Sequence, residues 1–516
     1  MQQSYTKNYI KIYTIQILSM LLGFVSFFIV VPYLSTDKIT YGIYTVCISV
    51  TIFLSYADLG FLGAGTKYAA ESYSRGDKEK EISLIGFTHF ILLVFVLLIS
   101  CFFLFLYFNP HLLIKDLEQG YQYDIAKKLL LILVISSPIV VGQRMLQMIF
   151  SIRLQEYNIQ IINIIGSLLK ITSLFIFFGN GRYNIVGYYF FLQIISFLVV
   201  IAGIILAKHK YNYNFKLLFK NFKFSKEIFN HTKVLAFSTL FGTIAWILYY
   251  ELDSIAIGRI IGVEAVAIYA IGFTILNFFR SILGVFFSPF SARFNHFVGL
   301  GNIDEFKSFY NHVITIMFPL VVFPIIAIFI MAKGLTISWV GIEYTESVII
   351  VKLLIFCNIL GFISYPAGMM LYACEKIKQI YFISAIMPLI FWIGILFTVN
   401  LWGIKSFAIF KIIVFFISGI IYLYFSLKYL ETSIIKFINN IVIPYLPGLI
   451  IMGIFLWFFK DYFIDTKSKL NLFYNLLFIA SGCIIAFGIS ILTSKQLRKY
   501  ISSVFFKLRS KTFELD

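Results

Sequence analysis

Five cations interrupt long apolar stretches of the chain: Arg144, Lys170, Arg280, Lys352 and Lys411. Against them stand three carboxylates, Asp58, Glu251 and Asp253. An ionisable side chain inside a bilayer-crossing helix costs roughly 2.5–3.5 kcal/mol on insertion scales, so it turns toward protein or water. Cations in such excess are more than a set of structural ion pairs uses. Arginine can grip phosphate-type oxygens through two parallel N–H bonds, and lysine acts on them as a point charge. The five are therefore candidates for holding an anionic ligand. The three carboxylates are candidates for carrying H+ or Na+ and so coupling an ion gradient to movement. Asp58 could equally order the turn before Gly60. Lys352 and Lys411, in the outer third of their segments, could equally snorkel to the interface.

Helical spacing gives these charges polar companions. Thr274, Asn277, Arg280 or Ser281, Gly284 and Ser288 recur every three or four residues, one polar stripe on an otherwise apolar helix. Gln160, Asn163, Ser167, Lys170 and Ser173 repeat the pattern, and Ser137, Arg144, Gln147 and Ser151 follow it more loosely. In lipid a polar stripe faces inward. Asn277, Ser281, Asn163, Ser167 and Gln147 are thus expected to line a wet cavity beside the cations, with Lys170 and Arg280 bordering one central chamber. No metal is expected: His89, His111, His209, His231, His296 and His312 lack ligand spacing, and the cysteines form no Cys-x-x-Cys pair.

The elements that must position these residues follow from composition. The chain has 516 residues, 60% hydrophobic and 13% charged, with mean hydropathy +0.92. Soluble domains carry about 25% charged residues, and their single cores stop growing near ~250–300 residues. A soluble enzyme, a disordered chain and a disulfide scaffold are all excluded. A bilayer-crossing helix needs about 20 apolar residues, and about fourteen such segments, from 10–33 to 470–493, occupy nearly the whole length. The chain reads as an all-α integral membrane protein. The stretch from Ile10 to Leu34 is taken as its first span rather than a cleavable signal. Pro138, Pro319, Pro324, Pro366 and Pro388 fall inside segments and are expected to kink them.

Lysine and arginine in the short loops set the orientation. One side collects Lys67, Arg75, Lys78, Lys80, Lys208, Lys210, Lys216, Lys220, Lys223, Lys226 and the tail cations Lys495, Arg498, Lys499, Lys507, Arg509 and Lys511. That side is expected to be the cytoplasm, with both termini on it. Much of the net charge of +18 is therefore topology rather than a nucleic-acid surface. No loop is long enough for a folded domain of roughly 50 residues, and no phosphate-cradling Gly-x-x-x-x-Gly-Lys-Ser/Thr loop occurs. The chain is not expected to be an enzyme.

Internal similarity suggests a duplication. Tyr41-Gly-Ile-Tyr44 and the run after it align with Val266-Ala-Ile-Tyr269, and Ile135-Ser-Ser-Pro138 aligns with Ile363-Ser-Tyr-Pro366 at nearly the same offset. Two pseudo-symmetric six-helix lobes around a central cavity would follow, a common transporter plan. The expected division is an N-lobe at 1–207, a basic linker at 208–231, a C-lobe at 232–430, two extra helices at 431–494 and a basic tail at 495–516.

The stretch Tyr41-Gly-Ile-Tyr44, followed by Ala57-Asp-Leu-Gly-Phe-Leu-Gly-Ala-Gly65 and Lys67-Tyr-Ala-Ala70, resembles the second helix of Wzx-type polysaccharide flippases, relatives of MATE drug exporters and MurJ-type lipid II flippases. The resemblance implies a bacterial inner-membrane protein. Its cargo would be an undecaprenyl-diphosphate-linked oligosaccharide, such as an O-antigen or capsule repeat unit, carried to the outer leaflet by alternating access. It implies partnership with a polysaccharide polymerase and chain-length proteins, and no cofactor beyond a possible H+ or Na+ gradient. The cationic set would then hold the diphosphate, and the hydroxyl and amide side chains would serve the sugars. A MurJ-type flippase and a MATE-like drug exporter are alternatives, the latter with a more acidic cavity. A membrane polymerase or glycosyltransferase is a third, disfavoured by the short outer loops.

Overall fold

The computed structural model describes residues 2–115, 117, 120–462, 466–500 and 502. The rest of the tail, including Lys507, Arg509 and Lys511, lies outside the described residues. Every regular element among the described residues is helical. Eleven helices are each long and apolar enough to cross a bilayer, and three bent pairs raise the number to fourteen. They follow the apolar segments of the sequence in order.

Proline has no N–H to give the carbonyl four residues earlier, so each one leaves an oxygen to satisfy. At Pro138 the fourth span bends by 43° between Tyr121–Ser136 and Ile139–Ile152. The freed carbonyl of Val134 accepts from the hydroxyls of Ser137 (3.0 Å) and Ser100 (3.2 Å). Pro366 lies just beyond a 42° bend that separates Ser347–Phe356 from Gly361–Ala373. Pro319, Pro324 and Pro388 sit inside helices that run on without a break, Ile303–Val340 and Ile377–Trp402. At Pro319 Tyr445 donates its hydroxyl to the orphaned Thr315 carbonyl at 2.6 Å. A neighbouring helix supplies the missing donor, so the helix continues.

The second span also stops short of the apolar run that marks it. Lys38–Ser55 ends in a turn, and a separate helix, Phe61–Ser74, follows. Leu59 and Gly60 both take positive φ, 48° and 82°, and Asp58 Oδ2 accepts from the backbone N–H of Gly60 and Leu62, each at 3.1 Å. An aspartate that caps and a glycine that tolerates the left-handed region together end a helix that hydropathy alone would extend. Gly42 earns its place differently: a Cβ there would collide with the Val263 carbonyl.

The described contacts divide the chain into two compact units, Met1–Ala270 and Ile271–Asp516. In the first unit Lys38–Ser55 packs on Tyr121–Ser136, and Ile185–Tyr211 packs on both Ile139–Ile152 and Glu156–Thr172. Leu84, Ile85, Leu146, Ile149, Phe150 and Leu218 form its buried cluster. Leu218 belongs to a short helix, Phe215–Lys220, which docks the basic segment 208–231 against Lys78–Phe108. In the second unit Ile303–Val340 is the hub. It touches Ser347–Phe356, Gly361–Ala373, Leu446–Phe459 and Lys469–Thr493, and 61% of its most apolar window is buried, against 11% for the first span.

Candidate functional site

Val140, Gln143, Arg144 and Gln147 fall at i, i+3, i+4 and i+7 on the helix Ile139–Ile152 and so share one face. Glu156, Ile159, Gln160 and Asn163 repeat that spacing on Glu156–Thr172. The turn between these helices is closed at Leu154, with φ 53°, and Gln155 Oε1 accepts from the Tyr211 hydroxyl at 2.9 Å. The two faces, with Val199 and Val200 of the next span and Ser55, line a cavity of about 370 Å³. Drug-sized ligand sites run to roughly 300–1,000 Å³, so this one suits a sugar or a phosphate group rather than a whole oligosaccharide.

The cavity is polar in an unusual way. The Arg144 guanidinium and the Glu156 carboxylate both line it, yet neither has a hydrogen bond or ion pair among the described residues. The Gln160 Oε1 is buried without a partner. Three amide side chains, Gln143, Gln147 and Asn163, complete the polar wall. A buried polar atom without a partner costs about 1–3 kcal/mol, which applies to Gln160 Oε1, whereas Gln143, Gln147 and Asn163 are exposed.

Of the residues chosen from sequence, Arg144, Gln147 and Asn163 meet here. Lys170 lies two turns further along and donates to the Ser196 hydroxyl at 2.9 Å, while Ser167 turns back onto the Asn163 carbonyl, also at 2.9 Å. Asp58 is occupied in its cap. Glu251 accepts from the Trp246 indole N–H at 3.1 Å in a π-helical turn, Ile247–Glu251. Asp253 is wholly buried and accepts from the Tyr269 hydroxyl.

The remaining residues belong to the second unit. Arg280 is half-buried and hydrogen bonded to Tyr365, whose ring stacks on Phe287 with centroids 5.0 Å apart. Ser281 is exposed and donates to the Asn277 carbonyl at 2.8 Å. Lys352 rests over Phe329 at 5.5 Å. Lys411 is fully buried, its ammonium 5.4 Å from the Phe273 ring centre and 5.1 Å from that of Phe391. That burial removes the snorkelling alternative for Lys411.

Two features escaped the sequence reading. Glu156 stands one helical turn before Ile159 and Gln160, and the stripe that begins at Gln160 could have been extended back to it. Arg153 and Glu81 form a buried ion pair, 2.7 Å long with 8% and 1% of the side chains exposed. Arg153 also donates to the Ile149 carbonyl at 2.8 Å, and the rings of Tyr73, Tyr211 and Tyr213 face it at 4.8, 5.2 and 5.3 Å. Burial, with Glu81 close by, pushes the Tyr213 hydroxyl above the ordinary phenol range, so it stays neutral beside the pair. No metal-binding group of three His, Cys, Asp or Glu occurs among the described residues.

A family profile described as polysaccharide biosynthesis protein matches residues 5–294. No curated protein sequence matches the chain. Among solved structures, the lipid II flippase MurJ in an inward closed conformation is similar over 93% of this chain and 98% of its own, with TM-score 0.67 and 16% identity. An inward-facing multidrug resistance MATE family transporter of the MOP superfamily is similar over 81% of this chain and 94% of its own, with TM-score 0.60 and 15% identity. A MOP superfamily transporter from Pyrococcus furiosus gives 83%, 97%, 0.58 and 14% in the same order. At these identities the likeness is one of fold, that of multi-pass membrane transporters.

Proposed function

We propose that this chain, which belongs to the polysaccharide biosynthesis protein family, moves an undecaprenyl-diphosphate-linked oligosaccharide from the cytoplasmic to the outer leaflet by alternating access of two lobes. The observation that carries the reading is the cavity of the first unit, where an unpaired Arg144 meets a wall of amides. Arg144 would grip a phosphate oxygen pair, as a planar guanidinium does best. Gln143, Gln147 and Asn163 would bond sugar hydroxyls from their amide groups, and Gln160 Oε1 would accept one more. Glu156, on the same wall, accepts hydroxyl donors and repels a second anion, which restricts where along the head group the phosphates sit. Lys170 and Arg280 would add cationic contacts along the route, and Asp58, Glu251 and Asp253 are the carboxylates available for H+ or Na+ coupling. In this reading the basic loops and both termini are cytoplasmic and the membrane is the bacterial inner membrane.

Lipid II offers the same polyprenyl-diphosphate-sugar chemistry, so the decisive experiment compares cargoes. Cells lacking this chain should lose surface glycan and accumulate its lipid-linked precursor on the cytoplasmic leaflet, while cell-wall lipid II turnover continues. Unchanged surface glycan would reject the proposal, and arrested cell-wall synthesis would reassign the cargo to lipid II. A cysteine placed at Ser225 should resist a membrane-impermeant thiol reagent in intact cells. Labelling there before lysis would overturn the orientation.

A further inference from the structure

A second cavity, of about 480 Å³, lies wholly within the second unit and takes no part in the transport reading. It is bordered by the first turns of Ile303–Val340 and Ile377–Trp402 and by the last turns of Gly361–Ala373 and Ile404–Leu430. Lys307, Lys376 and Lys428 converge on it, and Glu431 is the single carboxylate on its wall. That carboxylate already holds Lys307, with Nζ 3.0 Å from Oε2. The ammonium groups of Lys376 and Lys428, both exposed residues, have no hydrogen bond or ion pair among the described residues, so two positive charges without a protein counter-charge stand on the wall.

The backbone adds to this field. Two helix N-termini border the cavity, each carrying a partial positive charge, and at the one that begins at Ile303 the Asn302 side chain already accepts from the Glu305 N–H. Asp304 and Glu305 answer the one at Ile303, but the helix that begins at Ile377 has no acid in its first turn. Glu375, exposed beside Lys376, is outside the wall. Beside the charged rim Ile303 and Phe425 border the same space with apolar side chains. A free inorganic anion would gain from the rim and nothing from that wall. An amphiphile gains from both.

We propose that this cavity holds the phosphate-bearing head group of an anionic membrane lipid, with Lys376 and Lys428 on the phosphate and an acyl chain along Ile303 and Phe425. The four helix ends around it lie on the side of the basic loops, where the orientation proposed above places the inner leaflet. Basic pockets between spans on that side are where anionic head groups dock. The inference is independent of which glycan is carried.

The test uses the full chain in mixed micelles and counts retained lipid by native mass spectrometry, with phosphatidylglycerol against zwitterionic phosphatidylethanolamine. The natural chain should retain phosphatidylglycerol preferentially, and the double variant Lys376→Gln, Lys428→Gln should lower that retention roughly tenfold. The control variant Lys378→Gln, Lys436→Gln removes the same charge from exposed positions off the wall and should leave it unchanged. Equal retention by the cavity variant, or equal loss in the control, overturns the site. Displacement of phosphatidylglycerol by millimolar inorganic phosphate overturns the lipid assignment and leaves a simple anion as the occupant.

Discussion

Arg144 and Arg153 stand roughly two and a half turns apart on one stretch of chain, and their surroundings could hardly differ more. Arg153 closes the helix Ile139–Ile152 with its guanidinium on Glu81, on the Ile149 carbonyl and among three tyrosine rings. Arg144 lines a cavity where its guanidinium and the buried Gln160 Oε1 have no partner among the described residues. A cation held by a carboxylate and a carbonyl from different elements keeps those elements in register, here the start of Lys78–Phe108 and the end of the fourth span. A half-buried cation on a cavity wall, with no side-chain partner among the described residues, is placed to meet a ligand. Residue type alone does not separate the two roles. The state of the partners does.

The sharpest way to break this contrast is to remove each arginine in turn. Arg153→Ala strands the Glu81 carboxylate in a buried setting, and breaking a buried pair from one side costs about 3–5 kcal/mol. Folded protein recovered from membranes should fall steeply, with thermal unfolding shifted down in whatever remains. Unchanged yield and unfolding temperature would mean that the pair is not holding the unit together.

Arg144→Ala should leave folded yield intact and lower glycan export roughly ten- to hundredfold, the scale of one charged hydrogen bond of about 1.5–3 kcal/mol. Arg144→Lys should keep part of the activity because the charge survives while the fork geometry does not. Arg144→Glu should be the weakest of the three. Full export by Arg144→Glu at normal abundance would remove Arg144 from the ligand.

The smallest effect is the most diagnostic. Gln160→Leu removes an unpartnered buried oxygen, so the unfolding temperature should hold or rise slightly. Export should still drop by roughly two- to tenfold, as expected for one neutral hydrogen bond of about 0.5–1.5 kcal/mol. A fall in stability with export unchanged would show that Gln160 is already satisfied within the resting protein.

The spans were legible because hydropathy is a local property, and fourteen apolar runs need fourteen helices. The polar stripe rule was equally local, and it picked Arg144, Gln147 and Asn163, which line one cavity. It missed Glu156 because that residue opens a helix after a turn, where an acidic residue is ordinary helix-start chemistry. The Arg153–Glu81 pair joins positions far apart in sequence, and Lys78-Glu-Lys-Glu81 looks like a solvated charge run. What satisfies the carbonyl before a proline is non-local for the same reason. The residue that rescues the carbonyl before Pro319 is Tyr445, on another helix, and nothing around Pro319 announces it.

The hub helix of the second unit has a consequence for the order in which the protein is made. Ile303–Val340 packs on Lys469–Thr493, with Asn475 donating to the Ser338 hydroxyl at 3.2 Å and its amide seated against Gly334. Domains of a nascent chain assemble from the N-terminal side as they emerge. The first unit therefore has all of its helices once residue 270 is in the bilayer. The second must keep its most buried helix waiting, with one face open to lipid, until the last span arrives. During that interval it is the part of the newborn chain that membrane chaperones and proteases can recognise, and a ribosome that stops before Lys469 leaves it there.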